Sequence, residues 1–498
     1  MGSLPPEQIR RVAIIGAGPG GVVAAKYLLA EDLFDLIDVY EQQASFGGVW
    51  NYTKEPHGTI DIPQTNPHQP LEDPIWRSPN PSQNGVIDKD PVATFVSPMY
   101  EHLEANIPHL IMKHSDKPLE DNQLFPSRET ILTYLEEYAQ DIQHLVHFQT
   151  QVTNVRCVNQ ESEALWLVQS KDLKTSSFSL TSYDAVIVAN GHYAVPHIPS
   201  ITGMKVWNEA YPGLITHSKH YRRPSPYTNK KVLIVGNSAS GTDIASQIAT
   251  VSLHPLLLSS HSKSDLFPFS ASYKQDVPEI SEFLPPSKFD RAVRFANNKI
   301  ETDIDAILFA TGYHYSFPFL SSLSPPLSPT GARVENLYQH IFCIPSPSLA
   351  FIGLPSKIIP FRTFEAQAAV IARVWAGRLS LPPEGEMWKW ERELVKTRGG
   401  GRAFHVLPYP TDFQYHDSLV EWAGRAEGET GDDEGKGKGK KERKWNEKEY
   451  WTRGRFPAIK AKFAEKGEGR RGVKSMEELG FDYEVWKREQ GKNGDGEN

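Results

Sequence analysis

One pattern occurs twice in this chain and constrains it more than any other: an apolar run, a glycine-rich turn, then a helix-forming stretch. Residues 11–15, RVAII, form a short β-branched apolar run that predicts a buried parallel strand. In the turn GAGPGG, Gly16, Gly18 and Gly21 hold the GxGxxG spacing, with Ala17, Pro19 and Gly20 between them. The first glycine suits a tight turn, the second lets the backbone approach a pyrophosphate, and the third allows close helix–strand packing. The following VVAAKYLLAE predicts a helix whose first N–H groups face phosphate charge. The next predicted strand, LIDVYE, ends in Glu41, an acid placed to accept hydrogen bonds from ribose hydroxyls.

The pattern returns at KKVLIVGNSASGTDIASQIA, where Gly236 and Gly241 hold the outer positions and Ser238 replaces the middle glycine. Asn237, Ala239 and Ser240 complete this turn. Its second strand, PLLLSS, ends in Ser259 and Ser260, followed by His261 and Lys263 rather than an acid. Hydroxyls and a lysine would welcome a 2′-phosphate that an acid would repel. The second turn therefore points to NADP, and the first to a dinucleotide with free ribose hydroxyls, such as FAD. Taken alone, Lys263 reads equally well as a solvated surface charge.

Two further segments echo each other: YDAVIVANGHYAVPHIP and IDAILFATGYHYSFPF share the pattern DAxxxAxG, ending at Gly191 and Gly312. They bracket the second turn and predict crossing points into and out of an inserted domain. The expected fold is α/β, with two Rossmann-like dinucleotide-binding domains. An FAD domain (1–194 and 311–424) would hold an inserted NADP domain (195–310), and a charged low-complexity extension (425–498) would follow.

Composition narrows the partners. A net charge of −8 over 498 residues argues against nucleic acid. Cys157 and Cys343 are the only cysteines, far apart and without a CxxC, so neither a disulfide framework nor a dithiol redox pair is expected. No apolar run reaches the roughly 18 residues of a membrane span. A cytoplasmic location is expected and no metal site is foreseen. Oligomeric state is open, with a homodimer among the options.

Between the two turns lies YPGLITHSKHY, residues 211–221. Binding two nucleotides requires nothing of this kind. With it, the chain resembles the flavin-containing monooxygenases, whose fingerprint FxGxxxHxxxY/F is matched by Tyr211, Gly213, His217 and Tyr221, Tyr standing for the leading Phe. Related Baeyer–Villiger enzymes carry Trp at the last position, so Tyr221 favours oxygenation of a heteroatom. EQQASFGGVW is similar to the family's acid-to-GGxW segment, which implies that Gly47, Gly48, Val49 and Trp50 lie along the flavin. FATGY resembles the family's ATG motif and brings in Ala310, Thr311 and Gly312. PMYEHLEANIP is similar to the stretch carrying the family's active-site Asn, mapped to Asn106, with Ala105 where Thr is usual. The segment 360–382 is similar to the one that closes the FAD domain, with Gln367 facing the cofactor.

The resemblance implies an enzyme that uses FAD, NADPH and O2 to oxygenate nucleophilic N or S centres of small molecules through a C4a-hydroperoxyflavin. Baeyer–Villiger oxygenation of ketones and NADPH-dependent flavin reduction without oxygenation are the alternatives. Asn106 and His217 are the candidates for the catalytic centre. An Asn amide donates and accepts hydrogen bonds without adding charge. His217 could move a proton, but holding the linker and shaping the NADP cleft is the preferred role. Residues 56–91, rich in Pro, Asn, Gln and His, predict a long loop that is either a lid over the site or a surface ornament. GETGDDEGKGKGKKERKW predicts a flexible, solvated segment.

Overall fold

The computed structural model describes residues 9–56, 58–77, 91–120, 123–160, 163–261, 272–427 and 439–494. Two parallel sheets organise it. In the larger, Leu349–Phe351, Ala185–Val188, Arg11–Ile15, Leu36–Tyr40 and Val146–His147 run parallel in that spatial order, with Leu337–Tyr338 and Phe342–Cys343 added antiparallel at one edge. These strands are short and apolar because helices cover the sheet. The helices Pro19–Leu29 and Pro360–Trp375 pack together over it and bury Val22, Val23, Ala369 and Val370 in one core with Val12 and Ile14.

The smaller sheet orders Ile215–His217, Ala306–Phe309, Val232–Val235, Leu256–Ser259 and Lys274–Val277, all parallel. Chain enters and leaves it through an antiparallel pair, Val195–Pro196 with Tyr313–His314. A three-stranded antiparallel sheet, Thr150–Gln160, Glu163–Asp172 and Phe178–Tyr183, flanks the larger one. Ser127 caps the helix Arg128–Ala139 by accepting from the Thr130 N–H.

The C-terminal region departs from expectation. Residues 428–438 lie outside the described residues, but 440–445 do not behave as a solvated tail. Glu442 pairs with the buried Arg373 at 2.9 Å, Trp445 stacks on Phe413 at 4.2 Å, and the Arg362 guanidinium donates to the Arg443 carbonyl at 2.7 Å. A helix, Glu447–Glu465, follows a capping box of Asn446 and Glu449. It buries Trp451, Phe456, Ile459 and Phe463 against Leu124, Phe125 and Met476. The scattered charges hid these contacts, since each partner lies far away in sequence. No described helix is long and apolar enough to cross a membrane.

Candidate functional site

The two glycine turns are built alike. Gly16 N–H donates to the Tyr40 carbonyl and Gly236 N–H to the Ser259 carbonyl, both at 2.8 Å, so each turn is tied to the end of the neighbouring strand. Both glycines have φ above +100°, where a Cβ would lie 2.6 Å from the Ala189 oxygen at Gly16 and 2.5 Å from the Ala310 oxygen at Gly236. These alanines belong to the two echoing segments, which explains the echo: each supplies the strand that closes one turn. Gly21 and Gly241 repeat the correspondence, for a Cβ on either would meet the carbonyl of its own turn's first glycine within 2.0 Å. Neither lines the cleft; they allow the helix to sit against the strand.

Between the turns runs one continuous cleft of about 2020 Å³. That is roughly twice the upper end of ordinary small-molecule pockets, large enough for more than one ligand. Gly16, Gly18, Pro19, Gly20 and Glu41 line one end, and Gly236, Asn237, Ser238, Ala239, Ser240 and Ser260 the other. Gly48, Val49, Trp50, Ala105 and Asn106 lie along it, as do Ala310, Thr311 and Gly312. Residues 58–61 and 69–75 of the long loop also line it.

The residues at the first end suit a dinucleotide. Gly18 faces Gly48 so closely that a Cβ on Gly48 would stand 2.9 Å from the Gly18 Cα, which leaves an open backbone cradle at the helix start. Ala17 is turned away from the cleft: its N–H donates to Glu41 Oε2 at 2.8 Å, while Gln43 N–H donates to Oε1 at 2.8 Å. Burial pushes the Glu41 carboxyl up, and those N–H groups oppose the shift. Gly47 lies behind the cradle, with φ +108° and its open side against Leu132. Gln367 does not face the cofactor space. Its Oε1 accepts from Gly353 N–H and its Nε2 donates to Tyr415, both at 3.0 Å, so it supports the cleft-lining Gly353 from behind.

At the second end Ser260 and His261 line the cleft, whereas Lys263 lies outside the described residues. Ser259 is committed elsewhere, its hydroxyl donating to the Pro278 carbonyl. The sequence suggested that no acid stands here. In space one does: Glu279 lines the cleft and pairs with His261 at 3.1 Å. It arrives from the next strand's end, which spacing along one strand could not reveal.

The segment 211–221 lines the cleft only through Ser218, Lys219 and His220; none of its four fingerprint residues reaches it. Tyr211 ends the helix Met204–Ala210 and packs edge-on against Trp207. Gly213 takes φ +82° in the turn before the strand. His217 is fully buried. Its Nδ1 accepts from Lys219 N–H at 3.1 Å, so Nε2 carries the proton and donates to the Gly312 carbonyl at 3.1 Å. Burial lowers its pKa to about 3, against the pull of that carbonyl. A neutral imidazole, hydrogen-bonded through both nitrogens and away from the cleft, is not placed for proton transfer: His217 holds a structural position and does not join Asn106 at the catalytic centre. Tyr221 donates to Gln247 at 3.1 Å and lies edge-on to Tyr100, whose hydroxyl donates to Asp243.

Sequence reasoning missed the next residue. Arg222 is buried, and its guanidinium donates to the carbonyls of Thr53, Ser97, Lys219 and Tyr221 at 2.6–2.9 Å. Thr53 and Ser97 flank the first nucleotide end, so Arg222 bolts the start of the smaller sheet to the larger unit. Burial lowers its pKa to about 10. Lys219, also buried, donates to the Ala194 carbonyl at 2.7 Å and reaches Glu72 of the long loop at 3.5 Å. Two cations beside an apolar strand were the only sequence signal for this joint.

A model of the flavin-binding monooxygenase-like family matches residues 89–283 and 287–399, and one of the NAD(P)-binding Rossmann-like domain matches 14–77. The chain is 33% identical over 436 residues to flavin-containing monooxygenase GS-OX-like 2 of Arabidopsis thaliana, covering 84% of this chain and 85% of that protein. It is 32% identical over 460 residues to a flavin-containing monooxygenase of Aspergillus flavus, covering 83% and 92%. Among solved structures, S-allyl-L-cysteine S-oxygenase from Allium sativum superposes with a TM-score of 0.73 at 27% identity, over 94% of this chain and 96% of that one. With two nucleotide turns on one cleft, and a family model spanning more than half the chain, the protein belongs to the flavin-binding monooxygenase-like family, enzymes that use FAD and NADPH to oxygenate small molecules.

Proposed function

We propose that this enzyme oxygenates nucleophilic sulfur or nitrogen centres of small molecules, with FAD at the first turn and NADPH at the second. FAD, when bound and reduced by NADPH, would activate O2 so that one of its oxygen atoms can pass to a lone pair on the substrate while the other leaves as water. The observation that carries the proposal is the one cleft lined by Asn106 and by both glycine turns. We assign 1–194 and 311–424 to the FAD domain, 195–310 to the NADP domain and 425–498 to an extension.

Each group then has a task. The Gly18–Gly48 cradle and the helix start at Pro19 receive the FAD pyrophosphate, and Glu41 holds the turn while keeping lone pairs for ribose hydroxyls. The turn 236–241 receives the second pyrophosphate. The Asn106 amide can hold a reacting oxygen by donating and a nicotinamide carboxamide by accepting, without placing a charge beside either. The cleft walls keep water away from the reacting oxygen. A sulfide or tertiary amine brings its own lone pair, so no general base is needed. The likeness to an S-oxygenase and to GS-OX relatives supports sulfur as the first class to try.

The experiment supplies NADPH and O2 to the FAD-loaded enzyme with methyl phenyl sulfide, a tertiary amine and a cyclic ketone in parallel. Sulfoxide or N-oxide formation supports the proposal. An ester from the ketone alone indicates Baeyer–Villiger oxygenation, and NADPH consumption with only peroxide indicates a reductase; either overturns it.

A further inference from the structure

The helix Glu447–Glu465 lies beyond the residues matched by the monooxygenase family model, yet it walls part of the cleft through Arg453, Gly454, Phe456 and Pro457. From the same helix Lys460 turns inward. Its side chain is buried, its Nζ donates to the Ala105 carbonyl at 3.0 Å, and it lies 4.1 Å over the Phe125 ring. Ala105 immediately precedes Asn106, and its own N–H donates to the Pro126 carbonyl at 2.7 Å. The peptide before Asn106 is thus gripped on both sides, once by the loop at 126 and once by the C-terminal helix.

Neighbouring contacts extend the grip. Arg470 pairs with Glu104 at 3.1 Å, and Leu124 N–H donates to the Val473 carbonyl at 2.9 Å. A lysine is seldom buried without a partner. Here Asp243, on the helix after the second glycine turn, and Glu104 supply negative charge, Arg470 opposes them, and burial draws the amine down to about 8. A lysine that served only to fill space between Phe125 and Phe463 would be replaceable by Met, which has nearly its shape.

We propose that Lys460 is a positioning residue of the active site: through the Ala105 carbonyl it sets where the Asn106 amide lies in the cleft. The C-terminal extension is therefore part of the oxygenating machinery, and its contribution is to keep NADPH consumption coupled to product.

The test compares wild type, Lys460→Met and, as a control on the same helix, Lys462→Met, whose exposed side chain pairs with Glu465. Hydrogen–deuterium exchange of the full FAD-loaded chain reads the segment 101–107. In Lys460→Met that segment should exchange about tenfold faster, as expected for loss of one charged hydrogen bond, while the helix Pro19–Leu29 exchanges as in wild type. The share of NADPH lost as peroxide, with methyl phenyl sulfide present, should rise several-fold. Lys462→Met should match wild type in both. Wild-type exchange at 101–107, faster exchange throughout the chain, or an unchanged peroxide share overturns the proposal. Should Lys460→Met fail to fold, Lys460→Gln, uncharged and one atom too short to keep the bond to Ala105, carries the same comparison with the same outcomes. The proposal rests on the oxygenation function above, but the exchange arm needs no turnover. A wild type that oxygenates neither sulfur nor nitrogen sinks that function, whereas unaltered exchange sinks this one.

Discussion

Replacing His217 by Ala should destabilise the protein by an amount that shrinks as pH falls. At about pH 7.5 the variant leaves the Lys219 N–H without a partner in a buried site and the Gly312 carbonyl with the His197 N–H alone. The orphaned N–H costs about 1–3 kcal/mol, the lost bond to Gly312 about 1 kcal/mol, and the emptied ring space adds to both unless water enters it, so about 3 kcal/mol in all is expected. Below about pH 6.5 the wild type weakens by itself. Its unfolded chain binds a proton on His217 at the ordinary histidine value, while the folded imidazole resists one until about 3 because it is buried. The unfolded state therefore holds more protons across that window, and stability falls by about 1.4 kcal/mol per pH unit as acid is added. Alanine carries no such term. The penalty of the variant should drop from about 3 kcal/mol at neutral pH to about half that near pH 5.5. His192, His197 and His340 are shifted downward by desolvation too and are present in both proteins, so they largely cancel in the difference. Urea unfolding of both proteins at the two pH values measures it. A penalty that stays constant or grows in acid would mean that the folded imidazole is charged, and would refute the structural role of His217.

Three other substitutions probe separate parts of the site. Gly48→Ala places a Cβ 2.9 Å from the Gly18 Cα at φ +53°, so FAD retention after gel filtration should fall several-fold; full flavin content would refute the cradle. Arg222→Lys keeps the charge but not the planar fork that reaches four carbonyls, and should cost about 2–4 kcal/mol in urea unfolding; a loss below about 1 kcal/mol would contradict its role as a bolt. Glu279→Gln removes the carboxylate beside Ser260 and His261, so the KM for NADPH should fall about two- to fivefold while that for NADH stays put, and equal changes for both would place the 2′-phosphate elsewhere.

What could be read from sequence was local. The turns at Gly16 and Gly236 declare themselves because strand, glycine spacing and helix are contiguous, and the echo between 183–199 and 304–319 is the trace of strands closing equivalent turns. The segment 211–221 pointed to the flavin-containing monooxygenases, but motif membership says nothing about where side chains point. His217, Tyr211 and Tyr221 proved to lie behind the cleft. Glu279 and Arg222 escaped notice because their partners come from other strands and loops, at separations no periodicity encodes. The segment 440–445 differs from the expected solvated tail for a related reason. Its interspersed charges resemble a solvated tail until Arg373, Asp116 and Phe413 are brought alongside them.

The most direct measurement is the fate of labelled oxygen. FAD-loaded enzyme is given NADPH, methyl phenyl sulfide and 18O2, and the sulfoxide and peroxide are quantified together. One labelled oxygen atom in the sulfoxide for nearly every NADPH consumed is the predicted result. Label found only in peroxide or water, or sulfoxide carrying unlabelled oxygen, would contradict a protein-bound oxygen transfer to sulfur.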